Sequence, residues 1–203
     1  LVNLADKNLV EMLASPERWT RLKAKQLLSR RDQSKVINIL RNWVVSREGL
    51  DLLEALSLLE FLSVPDSEIL IKNINSDDPR IRAYAARVIG RWGTRLEGYQ
   101  DLLLGLAQDK HPRVRMEVLL SCAQIPEPNS ILAAAAVAEV PKDKWINYAF
   151  SQAVHHLKPI WIPAFREGDL DIAKYQSGFS DVLSQSDSKA IISEIRDLVK
   201  KEN

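Results

Sequence analysis

His155 and His156 are the residues here that most suggest metal or acid–base chemistry; His111 is the remaining histidine. Adjacent positions on a helix point about 100° apart, so this pair cannot chelate as an i,i+4 pair would. A zinc site also needs three or four ligands, which these histidines do not supply. Cys122 is the single cysteine, which excludes an internal disulfide and a Cys-rich zinc site. Within Leu119-Leu120-Ser121-Cys122-Ala123 it reads as a buried inert thiol, since free Cys behaves as a small apolar side chain. Carboxylates are paired at Asp77-Asp78 and at Asp169 with Asp171. In a shared cleft they could exchange protons. Both pairs lie at expected turns or helix starts, where capping accounts for them. The seven glycines are scattered and form no phosphate-binding loop or nucleophile elbow. The expectation is a chain without catalytic, cofactor-binding or metal-ligating residues.

Basic residues are the uneven feature. Residues 16–31 carry Arg18, Arg21, Lys23, Lys25, Arg30 and Arg31 against Glu17 alone, and residues 79–95 carry five arginines and no acid. Over the whole chain 28 Lys+Arg balance 27 Asp+Glu, so net charge argues against nucleic acid as partner. The basic segments read first as a solvated face. If functional, they offer Arg18, Arg21, Lys25, Arg80, Arg87 and Arg113 as a partner-binding surface for acidic groups.

These residues need helices to position them. Apolar side chains recur with helical spacing at Ile81, Ala85, Val88, Ile89 and Trp92, and again at Val114, Val118, Leu119 and Cys122. No segment alternates with period two, so essentially no sheet is expected. The spacing predicts helix pairs near 7–14 with 16–30, 34–46 with 49–63, 66–75 with 79–92, 98–108 with 112–124, and 128–139 with 142–157. A less regular pair follows near 159–166 with 171–184, then a last helix near 187–201. Ser or Asp before Pro, as at Ser15-Pro16 and Asp78-Pro79, supplies an N-cap and a first-turn proline whose missing N–H costs nothing. Ala133 to Ala138 is an apolar run too short for a span of about 18 residues, so it reads as a buried helix and no membrane insertion is expected. Trp19, Trp43, Trp92, Trp145 and Trp161 are spread along the chain, which suits inter-helix packing better than a base-stacking surface.

The pairs repeat. Asp78-Pro79-Arg80-Ile81-Arg82 and His111-Pro112-Arg113-Val114-Arg115 open two helices, with Arg82 and Arg115 33 residues apart. Arg21 precedes Arg82 by 61 residues, about two such periods. A period in this range indicates a helical solenoid, whose repeats bury a continuous core only by stacking. The expected fold is therefore an all-α superhelix of about six helix pairs, one domain over 1–203 with a less regular cap at about 159–203.

Asp109, Val114 and Arg115 resemble the Asp…Val-Arg signature of HEAT repeats. The resemblance implies a structural ladder of Asp and Arg between adjacent second helices, with Asp78, Arg82, Asp109 and Arg115 as its members. Arg82 would take Asp77 or Asp78 as partner. Arg21 is a weaker match, lacking a nearby upstream Asp, and Asn147 stands near the Arg position of the fifth pair, where the ladder would break. It also implies that second helices line a concave face. Four segments in order, at 19–28, 53–56, 111–118 and 143–164, are similar to the HEAT region of large bacterial haem-binding proteins of the planctomycete and Bacteroidetes type. Those join a propeller dehydrogenase, a HEAT array and a c-type cytochrome module. A c-type haem needs Cys-x-x-Cys-His, so with one Cys this chain would be the array between the redox modules.

Leu1 is not Met, and no charged-then-apolar leader follows, which leads to the expectation of a fragment or a mature form. The functional expectation is a non-catalytic scaffold or protein-interaction module, bound to another protein or to neighbouring domains of a larger bacterial protein. The resemblance implies a periplasmic or secreted location. The alternative from another class is a HEAT-like nucleic-acid-binding protein or DNA glycosylase, using a basic concave face, Trp and a catalytic carboxylate.

Overall fold

The computed structural model describes residues 4–186, and the helix expected near 187–201 lies outside them. Every regular element among the described residues is helical. The α-helices are α1 (Asp6–Glu11), α2 (Arg18–Leu28), α3 (Gln33–Trp43), α4 (Leu50–Leu62), α5 (Ser67–Ile74), α6 (Pro79–Trp92), α7 (Tyr99–Ala107), α8 (Pro112–Cys122), α9 (Ser130–Ala138), α10 (Lys144–Glu167) and α11 (Gln176–Gln185). Odd-numbered helices are the first members of their pairs, and even-numbered ones the second. Second helices stack in order, α2 on α4, α4 on α6, α6 on α8 and α8 on α10. First helices pair as α1 with α3, α7 with α9 and α9 with α11. This is the two-layered solenoid that the 33-residue recurrence requires.

Local chemistry explains the helix starts. The side chains of Asp32, Asp66, Asp78, His111 and Asp143 accept backbone N–H groups at the starts of α3, α5, α6, α8 and α10. Each such cap contributes about 1 kcal/mol. Pro79 and Pro112 occupy the first helical positions of α6 and α8, where no N–H is needed. The expected Ser15 cap of α2 does not form. That helix starts at Arg18 after Glu17, whose side chain makes no cap bond, and Ser15 Oγ instead accepts the Glu17 N–H at 3.2 Å.

All the helical-period apolar positions named above in α6 and α8 are buried, as is Ala133–Val137 of α9. The α6–α8 contact is the most extensive among the described helices. A Cβ added to Gly90 would lie 2.7 Å from Ser121 Cα, and Ser121 Oγ donates to Ala86 O at 2.8 Å. Glycine is required there so that two second helices approach closely.

The C-terminal part departs from expectation in two ways. The stretch 159–166 is not a separate helix; α10 runs through it with Pro159 and Pro163 inside. Both prolines and His155 face solvent, so water can satisfy the carbonyls that lose their helical N–H. On the opposite side Trp161 is wholly buried, with ring centroids 6.3 Å from Phe165 and 5.7 Å from Phe179. That cluster holds the helix together past its prolines. The second departure is α11, expected as the second helix of its pair, which packs on α9 in the first-helix layer. Gly178 makes this possible: a Cβ there would lie 1.9 Å from Ala135 O.

Candidate interaction face on the second helices

Three arginines are built into the fold in the same way. Arg21, Arg82 and Arg115 each sit in the first turn or so of a second helix. Each Nη1 donates to the carbonyls six and five residues earlier: Ser15 and Pro16 (2.8 and 3.0 Å), Ser76 and Asp77 (2.8 and 3.0 Å), Asp109 and Lys110 (2.7 and 3.3 Å). The guanidinium thus fastens the turn between the two helices of its own repeat. Its fork of fixed donors suits this task as a lysine would not.

The remaining donors reach the next repeat, and here the partners differ from expectation. Arg82 binds Asp109 through two bonds, Nε to Oδ2 at 2.7 Å and Nη2 to Oδ1 at 2.9 Å. Of its two expected partners, Asp77 offers Arg82 only its backbone carbonyl, and Asp78 instead caps α6 and grips Arg80, with Nη2 to Oδ2 at 2.6 Å. The reason is reach: Asp78 lies at the start of its own helix, whereas Asp109 precedes α8, beside the end of Arg82. Arg21 pairs across to Glu54 of α4 at 2.9 Å. Arg115 finds no carboxylate. Its Nη2 donates to Pro141 O at 3.2 Å, and its buried Nε has no acceptor. Asn147, at the Arg position of α10, keeps a weak version of the clasp, Nδ2 to Lys142 O at 3.5 Å.

Charges respond accordingly. Burial pushes the Asp109 carboxyl up, but the hydrogen bond from Arg82, the His111 N–H and the Arg82 charge together hold it below its usual value. The side-chain and backbone N–H groups of Arg80 lower Asp78 to about 2. Burial pushes the Cys122 thiol up to about 12, so it is neutral and inert at ordinary pH.

The six cations offered as a free acidic-group receptor are mostly engaged within the protein. Arg21 and Lys25 share Glu54; Arg87 and Arg113 share Glu117, with N–O distances of 2.6 and 2.9 Å. Arg80 holds Asp78, and only Arg18 of the six makes no ion pair. The basic helices α2 and α6 are flanked by α4 and α8, which carry Glu54, Glu60 and Glu117 toward them. Arg91 and Tyr84 both reach Glu60. These glutamates were missed in reading the sequence. A signal existed, because Glu117 is the single acid of α8 and Glu54 follows Arg21 by one repeat length of 33 residues.

The tryptophans divide. Trp43, Trp92 and Trp161 are buried, but Trp19 and Trp145 are 67% and 64% exposed, contrary to the packing role expected for them. Both stand two residues before the clasp position, Arg21 in one repeat and Asn147 in the other. Arg80 and Arg113 hold the same place before Arg82 and Arg115 and are also exposed. This position faces outward in all four repeats.

The remaining polar candidates are accounted for locally. His111 Nδ1 accepts the Arg113 N–H at 3.2 Å, and the imidazole of His155 bonds Ser151 O at 2.8 Å. Asp171 accepts the Ala173 N–H at 3.2 Å, and Asp169 is exposed in a turn. No three His, Cys, Asp or Glu side chains come together as a metal-binding group among the described residues, and no described helix is long and apolar enough to cross a membrane.

No curated protein matches the sequence. Among solved structures, the crystal structure of an engineered protein is 17% identical, with a TM-score of 0.53, covering 91% of this chain and 99% of its own. A second engineered protein, also 17% identical, superposes with a TM-score of 0.50 over 89% of this chain and 94% of its own. At that identity the likeness shows the fold. Residues 67–154, the segment holding the Arg82–Asp109 pair and the Arg115 clasp, match the family model of HEAT repeats, which generally act as scaffolds for protein interactions. The chain is thus similar to HEAT repeats over 67–154, within a helical array that continues on either side.

Proposed function

We propose that this array is a non-catalytic scaffold within a larger extracytoplasmic protein, periplasmic or secreted, and that its second-helix face docks a neighbouring module or another protein. The parent would be of the propeller dehydrogenase–HEAT–cytochrome c type that the sequence resembles. The observation that carries the reading is the outward position shared by Trp19, Arg80, Arg113 and Trp145. Stacked repeats present such positions along one extended surface, which is how solenoids make long contacts. Exposed Trp and Arg are also the side chains that dominate protein interfaces.

Hydrogen exchange on the full-length parent and on residues 1–203 alone tests this. The expected result is added protection in α2, α6, α8 and α10 when the flanking modules are present. Equal exchange in both, or protection confined to the first helices, would overturn it. A downstream Cys-x-x-Cys-His in the reading frame is expected for the parent type. Exposed Trp beside Arg is also what a nucleic-acid surface would show. A gel shift with duplex DNA at two salt concentrations separates that reading, since phosphate contacts weaken steeply with salt. No shift is expected, because Glu54 and Glu117 already occupy the cations they meet.

A further inference from the structure

Among the described residues, four of the helix starts capped by a side chain use an aspartate: Asp32, Asp66, Asp78 and Asp143. The start of α8 uses His111 instead, whose Nδ1 accepts the Arg113 N–H at 3.2 Å. A carboxylate is an acceptor in its ordinary charged state. An imidazole nitrogen accepts only while it carries no proton, and imidazole is the side chain that changes charge between about pH 5 and 8. The ring is exposed, so protons reach it from solvent. The preceding repeat supplies a comparison within the same fold. Asp78-Pro79-Arg80 and His111-Pro112-Arg113 hold equivalent places, and Asp78 Oδ1 accepts the Arg80 N–H at 2.8 Å. The Asp78 carboxyl, lowered to about 2 by Arg80, keeps that bond through the range in which an imidazole loses it.

The surroundings decide what a proton on His111 does. In its own loop Lys110 precedes it, and Asp109 Oδ1 accepts its backbone N–H at 2.8 Å. The same oxygen takes Arg82 Nη2 from α6 at 2.9 Å. From α10 comes Asp143, which lines a depression together with His111, Arg113 and Trp145, and Lys144 lies over that indole. Asp143 Oδ1 is already committed to the N–H groups of Trp145 and Ile146, both at 2.8 Å. Once protonated, the His111 ring has two donors and no acceptor. It then meets the Arg113 N–H with like polarity and adds a positive charge at a helix N-terminus, where the dipole opposes it. The carboxylate beside it, Asp109, is the one that closes the rung with Arg82. His155 is the contrast: its Nδ1 donates to the Ser151 carbonyl at 2.8 Å, a bond that a second proton on the ring leaves intact.

We propose that the start of α8 is a proton-operated catch: neutral His111 holds the first turn, and protonated His111 releases the Arg113 N–H, is drawn to Asp109 and loosens that turn. The repeats on either side lack the device, because Asp78 and Asp143 cap them. Arg113 belongs to the outward row on the second helices, so the catch makes docking at this one repeat depend on pH. That consequence rests on the scaffold reading; the catch itself does not.

The test is an NMR titration of residues 1–203 from about pH 8 to about pH 5, following the His111 ring and the backbone amides of Arg113 and Arg80. The Arg113 amide should shift with the same midpoint as the His111 ring, while the Arg80 amide stays flat. The N–H groups of Val114 and Arg115 donate to His111 O. Their exchange protection, corrected for the intrinsic rate, should fall about fivefold across the titration, the loss of one cap. His111→Asn keeps a capping side chain that does not titrate, so both responses should vanish with the turn protected at either end. In His111→Ala the turn should be equally unprotected at both ends. A flat Arg113 amide, a midpoint belonging to His155 or His156, or responses that persist in His111→Asn would overturn the proposal. The titration uses the chain alone, so its outcome is independent of whether flanking modules protect the second-helix face.

Discussion

The step from α6 to α8 and the step from α8 to α10 use the same arginine in different surroundings. At the first, Arg82 fastens its own turn and then closes on Asp109 with two charge-assisted bonds. At the second, Arg115 fastens its turn in the same way but meets only the carbonyl of Pro141. Pro141 stands six residues before Asn147, as Asp109 stands six before Arg115. One substitution in the repeat thus turns an ionic rung into a neutral one. The repeats stay stacked at both steps, so the apolar layer holds the solenoid together. The carboxylate adds to that layer where it is present.

If this is correct, the largest loss comes from opening the intact rung. Asp109→Ala or Arg82→Ala should cost about 2–4 kcal/mol in urea melts, because a charge only 9–10% exposed loses its partner. A loss under about 0.5 kcal/mol would show that the rung is decorative. The penalty has a pH signature. Asp109 is held below its usual value in the folded protein, so its contribution is complete above the unfolded-state pKa of about 3.9 and fades as pH falls through the lower folded-state value. Wild type and Asp109→Ala should therefore converge in stability at low pH and separate on approaching neutrality.

Next in size is Gly90→Ala, which forces α6 and α8 apart at their closest point and should cost about 1–3 kcal/mol. An unchanged Tm would mean the two helices are not so close in solution.

The neutral rung should respond less. Arg115→Ala leaves no carboxylate stranded, so a loss of about 1–2 kcal/mol is expected, smaller than for Arg82→Ala. Equal losses would break the contrast between the two steps. Pro141→Asp sharpens it from the other side, since it supplies a carboxylate to Arg115 and should stabilise by about 1 kcal/mol after the lost proline rigidity is offset. The smallest effect belongs to Trp145→Ala, within about 0.5 kcal/mol, because that indole is mostly in water.

Much of this was legible in the residues. The α6 and α8 cores followed from the 3.6-residue period, and the turns from Asp-Pro and His-Pro at their starts. Arg82 and Arg115 stood out because they recur at one repeat length. Partners were harder to read. Asp78 is the nearest acid to Arg82 in the chain but not in space, and a neighbouring helix supplies the real one. Trp19 and Trp145 misled for a related reason. Residue type predicts burial on average, but the outward phase of their position depends on where the helix begins. Pro159 likewise signals a break by its own chemistry, and a buried aromatic cluster overrides it.

The sequence by itself determined the helices and pairs from α1 to the start of α10, the repeat and the positions of the clasping arginines, because these depend on periodicity and on chemistry within one turn. The tertiary structure alone decided that Asp109 rather than Asp78 closes the rung, that Glu54, Glu60 and Glu117 neutralise the basic helices, and that α11 returns to the first-helix layer. Those outcomes are set by distances between helices about one repeat apart in the chain. Such distances follow from how closely backbones approach, at Gly90 against Ser121 and at Gly178 against Ala135, and no local pattern encodes them.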